Sequence, residues 1–101
     1  MDLNSVLIEG KLLGSTSFEE TPDGRHVCKF ELQAGVSGGK RSAIVPVRVY
    51  GRDAVLCRAS LTPVSHVRIV GFISEETYVG ADGLVCDYAT LVVVAESVEL
   101  S

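Results

Sequence analysis

A chain of 101 residues with 13 acidic and 9 basic side chains, a formal net charge of −4, is one domain, long enough to close a single core without metal or disulfide staples. The acidic balance argues against a generic polyanion sponge, although where the cations fall matters more than their sum. No apolar run reaches the ~18 residues of a membrane span, and Met1-Asp2-Leu3-Asn4 lacks a basic signal-peptide start, so the chain reads as cytoplasmic with no membrane partner.

The first predicted strand covers Ser5 to Leu13, with Val6, Ile8 and Leu12 alternating with Leu7, Glu9 and Lys11. Gly10 in its middle suits a bend or bulge where a sheet curls. Ser15 to Glu20 is polar and continues that strand, and Thr21-Pro22-Asp23-Gly24 is a turn, Pro presetting φ and Gly taking the positive φ. The second strand, Val27 to Ala34, sets Cys28, Phe30 and Leu32 against Val27, Lys29, Glu31 and Gln33. Gly35 to Lys40 follows as a hairpin loop with a basic end.

The third strand, Ser42 to Tyr50, carries the most informative stretch. Val45, Val47 and Val49 form one face, and Arg48 and Tyr50 share the other, with Arg52 just past Gly51. A cation beside an aromatic ring on an exposed strand face is how a sheet holds phosphates and stacks bases. Pro46 cannot donate to a ladder, which points to an edge or bulge there. Asp53 is expected to cap the only helix, Ala54 to Ser60, which Thr62-Pro63 ends.

The fourth strand, His66 to Ser74, alternates Val67, Ile69 and Ile73 with Arg68, Val70 and Phe72, and Gly71 interrupts it as Gly10 does the first. Glu75 to Gly83 is a long hairpin arm bearing Tyr78; the fifth strand is Val85 to Ala95, followed by a brief extended Val98-Glu99-Leu100. Five strands, a helix between the third and fourth, and glycines placed to bend the sheet describe an all-β domain with one short helix, a five-stranded OB-fold barrel over residues 1–101. The hydrophobic fraction of 47%, with Val70, Phe72, Val92 and Val94 apolar on both faces of their strands, points to homo-oligomerisation.

Element for element, the chain resembles the bacterial single-stranded DNA-binding protein family. The resemblance runs through Asn4 to Leu12, Thr21 to Gly24 into Val27 to Phe30, Val47 to Arg52, Val67 to Ile73, the Asp82-Gly83 arm and Val92 to Leu100. It implies an OB-fold homo-oligomer, a tetramer or dimer, that binds single-stranded DNA without sequence preference in replication, repair and recombination. Tyr50 and Tyr78 match two of the family's base-stacking aromatics, whereas Ile44 and the Gly38-Gly39 loop stand where two others, usually Trp, belong. The family's Gly/Pro/Gln-rich linker and acidic, partner-recruiting tail are not present before Ser101, as in a tailless relative such as primosomal replication protein N, a replication-restart factor and the alternative reading. A further alternative is a degenerate paralogue that keeps the barrel as a protein-interaction module.

The expected site is therefore Tyr50 and Tyr78 for bases, with Lys29, Lys40, Arg41, Arg48 and Arg52 for phosphates. Lys29, Arg48 and Arg52 are expected to flank Tyr50 on one sheet face. No catalytic residue, metal ligand or cofactor is expected. Gly35 to Gly39 spells G-x-S-x-G, but a nucleophile elbow needs a strand-to-helix turn, and this loop joins two strands. His26 and His66 have no Cys or carboxylate at ligand spacing and read as solvated or hydrogen-bonded. Cys28, Cys57 and Cys86 form no CxxC pair and read as buried thiols. Glu19-Glu20 and Glu75-Glu76 read as solvating charges whose neighbours point to opposite faces. Phe18 and Phe72 read as core or subunit interface.

Overall fold

The computed structural model describes residues 3–35, 41–79 and 85–100, with side chains for all of these except 77–79 and 85–89. The strands are β1 (Val6–Glu20), β2 (His26–Gly35), β3 (Ser42–Tyr50), β4 (His66–Val79) and β5 (Val85–Leu100), and α1 (Arg52–Ser60) lies between β3 and β4. They close into the expected five-stranded barrel, and the strand order around it is β1-β2-β3-β5-β4. β5 runs unbroken to Leu100, so the expected separate final strand is the end of β5.

β1 serves two partners. Its first part pairs with β4, from Val6↔Gly71 to Lys11↔His66, and from Gly10↔Ala34 onward it pairs with β2. Gly10 is the shared corner, and a Cβ there would run into the backbone of Gln33 and Ala34. Gly71 is its counterpart on β4: a Cβ would meet the Val94 carbonyl, and the β4–β5 register shifts between Val70 and Gly71. Both strands can turn between neighbours only because these positions lack side chains. β3 meets β5 at Val47↔Val93 and Arg48↔Val94, so Pro46 lies where β3 is paired with β2 alone, at Glu31.

The interior is filled by Leu12, Cys28, Phe30, Leu32, Val47, Val49, Val67, Ile69 and Val93, and by Ala54, Cys57 and Leu61 from α1 and its end. Burying aliphatic side chains of this size stabilises by about 1.5–3 kcal/mol each. The helix begins differently from expectation. Gly51, at φ 75°, is the N-cap residue, and Asp53 makes no side-chain cap but lies in the first turn, where its charge favours the dipole. Cys28 and Cys57 are buried free thiols; burial first, then Cys28 and Asp53, pushes the Cys57 thiol up to about 11. The Cys86 side chain falls outside the described residues.

Exposure along β4 does not follow its phase alone. Val67 and Ile69 are fully buried; beyond Gly71, Phe72, Ser74 and Glu76 are half-buried and Ile73 is exposed. The alternation itself holds, because the residue skipped in the β4–β5 register is Glu96 of β5, and Ile73 pairs with Val93 and lines a cleft with Val6 and Ile8 on the core side. Of the residues that make both strand faces apolar, Val92 is buried and Val70 is exposed; the strands also expose Leu7, Ile44, Ile73, Leu91 and Leu100.

Candidate nucleic-acid interface

The outward face of β1, β2 and β3 is a grid of cross-strand rows. One row is Ser17–Lys29–Arg48 and the next is Glu19–Val27–Tyr50, in which Val27 is buried. The face exists because Val47 and Val49 point into the core, which turns Arg48 and Tyr50 outward. Beside the first row lies a cleft of about 430 Å³ bordered by Ser15, Ser17, Lys29, Glu31, Arg48 and Thr90. Tyr50 is half-buried at the end of this grid.

Sequence reasoning missed Arg25. Its guanidinium carbon is 5.0 Å from the centroid of the Tyr50 ring, a contact worth about 0.5–1 kcal/mol at an exposed site. The Thr21–Arg25 turn sets it there: Gly24 N–H donates to the Thr21 carbonyl at 2.9 Å and Thr21 N–H to the Arg25 carbonyl at 2.7 Å. The Thr21 hydroxyl donates to Asp23, whose carboxylate lies 3.5 Å from Arg25 Nε. That hydroxyl first, then Arg25, holds the Asp23 carboxyl below its ordinary range. The signal in the sequence was an Arg immediately after a Pro-Asp-Gly turn, one strand end away from Tyr50.

The structure brings some of the expected residues together and separates others. Lys29 and Arg48 are cross-strand neighbours, and Arg48 and Tyr50 share one face of β3. Arg52 does not flank Tyr50 by strand alternation, because the chain turns at Gly51 and Arg52 opens α1. Arg41 is exposed just before β3, about 30 Å from Tyr50 along the nine residues of that strand. Lys40 and the Tyr78 side chain lie outside the described residues.

The carboxylates correct another expectation. Glu19 lies 3.1 Å from Lys29, and Glu76 accepts from Arg48 Nε at 2.6 Å, so both are ion-pair partners rather than solvating charges. Glu75, next along β4, is exposed, in keeping with opposite faces for adjacent residues. His26 stacks on Phe18 with centroids 5.3 Å apart, and Arg58 from α1 lies 4.7 Å over the same ring. Phe18 is a partly buried core neighbour, as expected. Among the described residues, no group of three or more His, Cys, Asp or Glu is placed to hold a metal ion.

A closed five-stranded barrel with one helix and an outer face of cations beside an aromatic ring defines an OB-fold protein. Over residues 3–101 the chain matches the single-strand binding protein family, and it belongs to that family. No curated protein matches it. Among the described residues no helix is long and apolar enough to cross a membrane.

Proposed function

We propose that this protein binds single-stranded DNA without sequence preference through the outer face of β1, β2 and β3, in replication, repair or recombination. The observation that carries the reading is Tyr50 at the edge of the Lys29–Arg48 row, in a chain of the single-strand binding family. An aromatic face accepts any base, and stacking contributes about 1–3 kcal/mol per base. Lys29 and Arg48 supply charge beside it; Tyr78, Lys40, Arg41 and Arg52 are proposed to extend the path. Binding of this kind needs no catalytic residue, metal or cofactor.

The working form is a cytoplasmic homo-oligomer. Leu7, Ile73 and Leu91 are exposed by 70, 44 and 59%. Ile73 and Leu91 line an apolar cleft of about 220 Å³ with Val6, Ile8, Val45 and Val93. A second copy of the chain is the partner of matching chemistry.

One observation favours a second reading, in which the barrel serves as a protein-interaction module: both cations of the outer row already hold carboxylates. Titrating fluorescent oligo-dT and a duplex of equal length at low salt separates the two. The nucleic-acid reading predicts saturable binding to the single strand and much weaker binding to the duplex. No binding of either at micromolar protein leaves the interaction module as the better account.

A further inference from the structure

The cations on the outer face are held in a way that makes their partners part of the binding equilibrium. Arg48 donates from Nε to Glu76 at 2.6 Å and from Nη1 to the Val47 carbonyl at 3.2 Å, and its side chain is only 11% exposed. Lys29 Nζ is 3.1 Å from Glu19, in a pair open to solvent with side chains 33 and 53% exposed. A carboxylate oxygen at such a distance stands where a phosphate oxygen would stand, because the same donors recognise both groups. Counting Glu31, which also lines the cleft, two cations there face three carboxylates. Unaided, that face does not attract a polyanion.

The Arg48–Glu76 pair also crosses the architecture. β3 and β4 are not neighbours, since β5 lies between them in the barrel order. Glu76 pairs in register with Thr90 of β5, and Thr90 borders the cleft with Arg48. The contact therefore ties the root of the β4–β5 arm to β3. Tyr78 lies two residues beyond Glu76 on the same strand.

We propose that Glu76 and Glu19 are built-in competitors for the phosphates of single-stranded DNA, and that displacing them sets the affinity of the face. The inference rests on the nucleic-acid reading above. A phosphate that reaches Arg48 must replace the Glu76 carboxylate, which returns to solvent and loosens the tie between β3 and the arm root. The freed carboxylate gathers its own counterions, offsetting those the DNA gives up. Wild-type binding is then less salt-dependent than its number of phosphate contacts implies.

The test is a series of oligo-dT titrations over several salt concentrations with wild type, Glu76→Gln, Glu19→Gln, Tyr50→Ala and Glu9→Gln. Glu9 pairs with Arg68 at 3.0 Å between β1 and β4, outside the face, and serves as the control. Glu76→Gln should bind about tenfold more tightly at low salt, the worth of one released charge-assisted contact. Its dependence of log K on log salt should steepen by about 0.7, one phosphate contact. Glu19→Gln should gain about threefold, its pair being exposed, and Glu9→Gln should match wild type. The proposal is overturned if both face variants bind no tighter than wild type while Tyr50→Ala binds more weakly; the stacking reading then survives alone. If no protein in the series binds, both readings fall, whereas binding by Glu76→Gln alone supports both. Thermal melting checks folding, and Glu19→Gln decides the matter if Glu76→Gln does not fold.

Discussion

Two outer surfaces of this barrel share a strand and differ in everything else. Along β1–β2–β3 the outward positions include Ser17, Glu19, Lys29, Glu31, Arg48 and Tyr50, all polar, three of them ion-paired. Where β1 turns to meet β4 they become Leu7 and Val70. On the other side of β1, Ile73 and Leu91 line an apolar cleft with Val6 and Ile8. Leu7, Val70, Ile73 and Leu91 are all exposed. The first surface can trade one ionic partner for another at little cost in buried area. The second has nothing to trade and is stabilised only by being covered. One strand supplies both because Gly10 lets it change neighbours midway.

The largest expected effect removes the frame of both surfaces. In Gly71→Val the new side chain meets the Val94 carbonyl, backbone that cannot step aside. The loss should be about 3 kcal/mol or more, read as a lower urea midpoint or a failure to fold. The next separates the surfaces. Leu7→Glu combined with Leu91→Glu places charge on the apolar rim and should shift the protein to a smaller species in light scattering. Oligo-dT affinity per barrel should then change far less than the assembly does, because neither residue is on the Tyr50 face. Smaller again, Arg25→Ala removes the cation held against Tyr50 and should lower stability by about 0.5–1 kcal/mol in chemical denaturation, the worth of that contact. Smallest is Glu9→Gln, which breaks an exposed pair with Arg68 and should change stability by less than about 1 kcal/mol in chemical denaturation.

Much of this was legible in the residues. Alternating valines from Val45 to Val49 fixed which way β3 faces, and so placed Arg48 and Tyr50 outward. Gly10 and Gly71 announced the corners, and the position of the helix after the third strand announced the barrel. What stayed hidden depends on closure. Arg48 and Glu76 are 28 residues apart and meet only because the arm curls beside β3. β4 keeps its phase through Gly71, but periodicity alone cannot report that Ile73 is left exposed on the core side and that Glu76 is half-buried beside Arg48 on the other. Arg52 looked like the next member of the strand because one glycine, at φ 75°, carries the whole change of direction.

The central claim is that the two surfaces divide the work, nucleic acid on one and a second copy on the other. A titration of ¹⁵N-labelled protein with oligo-dT, followed by amide chemical shifts, tests it most directly. The account predicts that shifts concentrate on Ser17, Val27 to Lys29, Arg48 and Tyr50, with little change at Leu7, Val70 and Ile73. Shifts centred on the Leu7–Val70 surface, or none at saturating DNA, would contradict it.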